Sequence, residues 1–206
     1  MNIIIEKDFI PQYFKDFPKG RFLEIGANDG DPIDPNEPCW PLLQLGWSGV
    51  YCEPSPFACT RLINNVRRYR KRIKVINTAI TATGGFKTFY MHEDHTSCSS
   101  LQSDWIQKQP FIKKTKKPKQ YAITTNTSTM QQLIDQTGAN FNCVSIDIEC
   151  DEHMLENMIM SFDWTLLTEC KLFVIENANK NVLDYFESIG FPVVAKSQYN
   201  TLLGKL

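Results

Sequence analysis

The chain has 206 residues, a formal net charge of -1, 42% hydrophobic and 22% charged residues. That suffices for one compact core and is thin for two, and it excludes wholesale disorder. The near-zero charge excludes a global field that attracts nucleic acid, and the apolar runs are too short to span a membrane. The start, Met1-Asn-Ile-Ile-Ile-Glu-Lys-Asp, puts acid straight after the apolar run and offers no small-residue cleavage site, so it does not read as a signal peptide. The seven cysteines contain no C-x-x-C pair and are odd in number. They read as buried, reduced thiols of a cytoplasmic protein rather than a disulfide framework or zinc ribbon.

Aromatics at Phe9, Tyr13, Phe14 and Phe17 predict a short helix, broken at Pro18-Lys-Gly20. Arg21–Ile25 is the first clear strand and runs into Gly26-Ala-Asn-Asp-Gly30. Gly49–Glu53 is a second strand, stopped by Pro54 and Pro56, and a helix over Phe57–Val66 and a strand at Ile73–Ile76 follow. The middle is less regular. Gly85–Met91 alternates like a strand, a polar loop covers His92–Ser100, and residues 108–120 form a basic, proline-punctuated insertion. Ile123–Thr125 is a short strand candidate, and Ser128 a candidate cap for a helix over Thr129–Gln136 ended by Gly138. Asn142–Asp147 and Lys171–Glu176 are the next strands, each followed by a helix, at Glu152–Met160 and Val182–Ile189. Two short strands, Phe191–Ala195 and Thr201–Leu203, close the chain. Strands alternating with helices predict βαβ units and a mainly parallel sheet. The expected organisation is a single domain over 1–206, with an N-terminal helical segment at 1–20 and a rim insertion at 92–120.

Three strand ends carry chemistry. After the first strand comes Glu24-x-Gly26-x-x-x-Gly30, whose glycines permit a tight turn and a close ligand approach. The spacing is not that of a dinucleotide fold, and Asp29 and Asp31 sit where a pyrophosphate would approach, so the turn suits a cationic ligand. The bland alternative is an ordinary turn. Glu53 ends the second strand at the spacing of a ribose-binding acid, or is a plain surface residue. In Asp147-Ile-Glu149, alternation puts both carboxylates on one side, at the end where open α/β sheets bind ligands. They are alternatively helix caps, a role for which Asp151 is better placed.

This chain resembles the FkbM-type S-adenosylmethionine-dependent methyltransferases. The matching residues are Phe22–Gly30, Leu45–Pro54, Ser99-Ser-Leu101, Thr129–Leu133 and Val144–Glu149, and the resemblance covers roughly residues 20–205. It implies an α/β class I methyltransferase fold, Rossmann-like and doubly wound, with a mostly parallel seven-stranded sheet whose last strand is antiparallel. It also implies O-methylation of a sugar or another hydroxylated small molecule, with S-adenosyl-L-methionine as cofactor. The family carries glycine after its Asp-x-Glu, where this chain has Cys150. Two other functions stay open: a catalytically silent cofactor-binding module, and a nucleotide-dependent oxidoreductase of related fold.

The candidate cofactor contacts are Glu24, Gly26, Asn28, Gly30 and Glu53, with Asn77, Ala79, Ser100 and Asp147. The catalytic candidates are Asp147, Glu149 and the loop histidine His95. His92 shares that loop, and His153 is expected on an exposed helix face. Asp147, Glu176 and Asn177 form a hard-oxygen set suited to Mg²⁺ or another divalent cation if their strands are neighbours, as the resemblance implies. A turn with a solvated acid is the alternative there. The run Arg67–Arg72 and the lysines 108–119 read as solvated faces, or as capture sites for an anionic glycoconjugate acceptor, with nucleic acid a minor reading.

Overall fold

A computed structural model describes residues 3–17, 19–31, 37–92, 96–108 and 120–205. In chain order the elements are α1 (Glu6–Tyr13), β1 (Arg21–Ile25), α2 (Trp40–Gln44), β2 (Ser48–Cys52), α3 (Pro56–Asn65), β3 (Ile73–Ile76) and β4 (Ala79–Ile80). Then come β5 (Gly85–His92), α4 (Ser103–Lys108), β6 (Gln120–Ser128), α5 (Met130–Thr137), β7 (Cys143–Ile146) and α6 (Glu152–Met160). The last are β8 (Leu172–Glu176), α7 (Lys180–Ser188), β9 (Val193–Lys196) and β10 (Asn200–Gly204).

Seven strands form the main sheet in the order β3-β2-β1-β7-β8-β10-β9. The pairings from β3 to β8 are parallel, and β10, the last strand in sequence, is antiparallel to both its neighbours. This is the sheet expected of a class I methyltransferase fold. The side-chain period of two sorts the central strands between two cores. Leu23, Ile25, Phe173 and Ile175 pack with Leu133, Leu155, Ile159 and Phe186 of α5, α6 and α7. Phe22, Tyr51, Leu172 and Val174 pack with Ile10, Leu42, Leu43 and Leu62 of α1, α2 and α3. Strands buried on both faces are near-continuous apolar runs, which is why β7 and β8 read so plainly.

Several boundaries differ from the sequence reading. The first helix spans Glu6–Tyr13, and Phe14 at its C-terminal cap packs onto Trp47, ring centroids 4.7 Å apart. Thr129, not Ser128, caps α5, in a reciprocal capping box with Gln132. The strand expected at Ile123–Thr125 runs nine residues and joins β4 and β5 in a second sheet, order β4-β6-β5. Neither α2 nor α4 shows in the hydrophobic pattern, each being too short for a full apolar period. His92 is buried at the end of β5 rather than in a polar loop, while His153 is exposed on α6 as expected. His95 and the lysines Lys113, Lys114, Lys116, Lys117 and Lys119 lie outside the described residues. All seven cysteines are buried and none forms a disulfide. No helix of the described residues is long and apolar enough to cross a membrane.

Candidate active site

The carboxyl ends of β1, β2, β7 and β8 open onto one cavity of about 390 Å³, a size suited to a cofactor. Its floor is the turn after β1. Gly26 and Ala27 donate their N–H groups to the Cys52 carbonyl at 2.9 and 3.1 Å, which pins the turn to β2. Gly26 has φ +85°, and a Cβ there would stand 1.6 Å from the Asp147 carbonyl oxygen. Only glycine lets β1 and β7 close up at this point. Asn28 also has positive φ, 45°. Its backbone N–H donates to Glu53 Oε2 at 2.8 Å, while Ser55 N–H donates to Glu53 Oε1 at 2.7 Å. The Glu53 carboxylate, 6% exposed, is thereby fixed with both oxygens at the cavity wall.

At the far end, Asp147 continues from β7, and its N–H donates to the Ile25 carbonyl at 2.9 Å. Glu176 ends β8 beside it, and the two carboxyls hydrogen-bond to each other. Glu149, two residues on, accepts from the Trp105 indole N–H at 2.7 Å. The rim segment before α4 is clamped to this loop. Ser100 Oγ donates to the Glu149 carbonyl, and Gln102 exchanges two bonds with Asp151, side-chain N to Oδ2 at 2.6 Å and Asp151 N–H to Oε1 at 2.8 Å.

Burial dominates the electrostatics. It raises Glu53 to about 7 against the two N–H bonds that favour its ionised form. Glu149 is raised to about 7 by burial and by Asp147, opposed by the Trp105 bond. Burial, then the charge and hydrogen bond of Asp147, lifts Glu176 to about 9, so the pair holds on to a proton more tightly than an isolated carboxyl would. Burial and the neighbouring Glu37 push Glu24 well above its ordinary range. Eight of the lining residues carry a carboxyl, and none of the described lining residues is Lys, Arg or His.

Most candidate contacts meet here. Glu24, Gly26, Asn28, Gly30, Glu53, Ala79, Ser100, Asp147 and Glu149 all line the cavity. Asn77 does not. Its amide donates to the Glu53 and Pro54 carbonyls at 2.7 and 3.1 Å, so it fixes the end of β2 from behind. The proposed metal set is not assembled. Asp147 and Glu176 are neighbours, but they bond to each other, and Asn177 is absent from the wall. No group of three or more His, Cys, Asp or Glu that could hold a metal ion occurs among the described residues. Asp29, expected to face a ligand, is paired with Arg61 of α3 at 3.0 Å. Asp151 caps α6 through a bond from Met154 N–H at 2.9 Å, as its position suggested.

The structure adds residues that the sequence reading missed. Ser99, rather than Ser100, has the unused hydroxyl. Ser100 Oγ is engaged with Glu149 and Gln102, whereas Ser99 Oγ is buried with no partner. Glu37 accepts from Cys39 and Trp40 N–H at 3.1 and 2.9 Å, which caps α2 and brings its carboxyl to Glu24. Trp105 of α4 and Tyr199 of the turn before β10 reach the site through tertiary packing, and no motif announces either.

The fold is that of the class I methyltransferases. Three solved structures illustrate the likeness. An FkbM methyltransferase from Methylobacillus flagellatus KT has a TM-score of 0.51 at 15% identity, over 90% of this chain and 43% of its own length. The methyltransferase domain of METTL16 gives 0.51 at 12%, over 97% and 66%. Magnesium protoporphyrin IX methyltransferase from Synechocystis PCC 6803, solved with bound S-adenosylmethionine, gives 0.50 at 10%, over 96% and 76%. The likeness is one of fold, and the chain spans less than half the length of the FkbM structure. No protein-family model matches the sequence, and a search of the curated proteins returns no match.

Proposed function

We propose that this chain is an S-adenosylmethionine-dependent methyltransferase that methylates a hydroxyl of a sugar or another small hydroxylated acceptor. The observation that carries the reading is the composition of the cavity wall: eight residues with carboxyl side chains, of which Asp29 is paired with Arg61, and no basic one among the described lining residues. Such a wall attracts a cation and repels a dinucleotide pyrophosphate, which favours a sulfonium cofactor over the oxidoreductase alternative. The shape fits as well. Glu53 holds two oriented oxygens that match the paired hydroxyls of a ribose, and Gly26 lets the turn after β1 lie close against the end of β7.

The cofactor would supply a methyl group on a positively charged sulfur, open to in-line attack. The chain's part is orientation and proton removal. Glu149, raised to about 7, is the general base for the acceptor hydroxyl, and the Trp105 N–H fixes one of its oxygens at 2.7 Å. The Asp147–Glu176 carboxyl pair lies beside it and shares a hydrogen bond. Once the acceptor is bound, Leu101, Met154 and Phe89 restrict water on the inner wall. No step runs through a metal, because the oxygen set proposed for one is not assembled.

The test is transfer of radiolabelled methyl from S-adenosylmethionine to a panel of neutral sugars, glycosides, phosphorylated sugars and RNA. Label in a base-stable ether of a small hydroxylated compound, lost in Glu149→Gln, supports the reading. Label in RNA alone overturns the acceptor class. Stoichiometric cofactor binding with no transfer to any member favours the silent module.

A further inference from the structure

We propose that the basic turn at residues 67–72 is a docking site for an anionic phospholipid surface, set at the opposite end of the sheet from the cavity. The turn runs straight into β3, whose Ile73 follows Arg72, and β3 lies parallel to β2. The run therefore stands at the amino ends of the strands. The cavity opens at their carboxyl ends, about 13 Å away along a strand of four residues. The two share no lining residue. An anion held at the turn does not enter the cavity, so the run is a second surface rather than a wall of the acceptor site.

Arg67, Arg68, Arg70, Lys71 and Arg72 line a groove of about 550 Å³ together with Tyr69. No acid interrupts the run. Arg67, Arg70 and Lys71 are exposed, and their side chains enter none of the hydrogen bonds or ion pairs found among the described residues. The other two cations fix the turn. Arg72 donates to the Trp47 and Leu43 carbonyls at 2.7 and 3.4 Å, and Arg68 stacks over Tyr69. Five like charges held this close repel one another, and an anionic surface relieves that repulsion.

Two features select a bilayer over a nucleic acid. The Tyr69 ring is already taken. Arg68 and Arg72 stand over it, 4.7 and 5.2 Å from its centroid, and Trp40 meets it edge-on at 5.9 Å, so it is not an open platform for stacking a base. Beside the cations stand two aliphatic side chains, each 51% exposed. Ile63 lies one helical turn before Arg67, and Leu45 lies in the turn whose flanking carbonyls hold Arg72. Cations at headgroup level with apolar tips between them are what an anionic membrane surface binds. A phosphate backbone gains little from either aliphatic group.

The experiment is co-sedimentation of the full chain with vesicles of phosphatidylcholine alone, and of phosphatidylcholine with about 30% phosphatidylserine, at about 0.05 and 0.5 M salt. At low salt the chain should bind the anionic vesicles at least about 20-fold more tightly than the neutral ones, and high salt should remove the difference. Each basic residue near such a surface strengthens binding about fivefold. Lys71→Gln alone should therefore weaken it about fivefold, and Arg67→Gln, Arg70→Gln and Lys71→Gln together about 100-fold, with the melting temperature unchanged. Leu45→Ser with Ile63→Ser should weaken it about fivefold with the same salt dependence. Equal binding to both kinds of vesicle, or a triple variant that binds like the wild type, would overturn the proposal. A Leu45→Ser, Ile63→Ser chain with wild-type binding would leave a bare polyanion site and overturn the bilayer assignment. So would an RNA oligonucleotide that binds the wild-type chain more tightly than the anionic vesicles do and is lost in the triple variant.

Discussion

Replacing Glu53 with alanine should damage both stability and cofactor binding, by amounts that can be worked out separately. The side chain is 6% exposed, and its oxygens accept from Asn28 and Ser55 N–H at 2.8 and 2.7 Å. Truncation leaves two buried donors without acceptors, at about 1–3 kcal/mol each. Removing a carboxyl whose burial already raises it to about 7 returns part of that cost. A net loss of about 2–4 kcal/mol in urea unfolding is expected. For the cofactor, losing hydrogen bonds to a charged acceptor costs about 1.5–3 kcal/mol, or about 10- to 150-fold in Kd. Calorimetric titration at a temperature where the variant remains folded measures the second effect alone. Glu53→Gln retains one acceptor oxygen and should fall between wild type and Glu53→Ala in both assays. Asn77→Ala is the control: it loosens the end of β2 without touching the cavity wall, and should weaken binding by less than about fivefold. A folded Glu53→Ala chain with wild-type affinity would refute the assignment of Glu53 to the ribose.

Gly26→Ala should destabilise the fold by about 3 kcal/mol or more, because its Cβ would overlap the Asp147 carbonyl at 1.6 Å; a variant with wild-type melting behaviour would contradict the close approach of β1 and β7. Trp105→Phe removes the bond that favours ionised Glu149, so the acid limb of the pH–rate profile should move to higher pH, and an unmoved limb would detach Trp105 from the base. The ligand-free chain should lose stability as pH rises. Glu53, Glu149 and Glu176 have folded pKa values of about 7, 7 and 9, above the ordinary 4.5, so the folded state binds more protons than the unfolded one. Their contribution is fully present below about pH 4.5 and is lost as pH climbs through about 7 to 9; melting temperatures that rise over that range would reverse the sign. Chelation followed by gel filtration should leave methyl transfer unchanged, and a loss restored by Mg²⁺ would reinstate a metal role for Asp147 and Glu176.

How far the sequence carried depends on whether its signals were local. β1, β2, β7 and β8 are buried on both faces, so each is a short apolar run between turn residues, and all four were placed to within a residue or two. The strand-end acids were legible for the same reason: Glu53, Asp147 and Glu176 each close or directly follow such a run, and Glu24 stands one position before the end of the first. What failed depends on contacts between distant segments. Asn77 looked like a wall residue, but its amide turns back to carbonyls 23 and 24 positions earlier. Asp147 and Glu176 were correctly placed side by side, but no spacing rule says whether two neighbouring carboxyls share a metal or a proton. Ser99 and Ser100 are indistinguishable in sequence, and only the bond of Ser100 Oγ to the Glu149 carbonyl separates them. Trp105 reaches Glu149 across 44 positions, through a rim segment with no regular period.

The most direct test of the central claim is a crystal structure of the full chain with S-adenosylhomocysteine. The expected result is a ligand in the cavity between Gly26 and Asp147, both ribose hydroxyls within about 2.6–3.0 Å of the Glu53 carboxylate, and the thioether sulfur toward Asp147 and Glu149. An empty cavity at saturating ligand, or a ribose placed away from Glu53, would contradict the account.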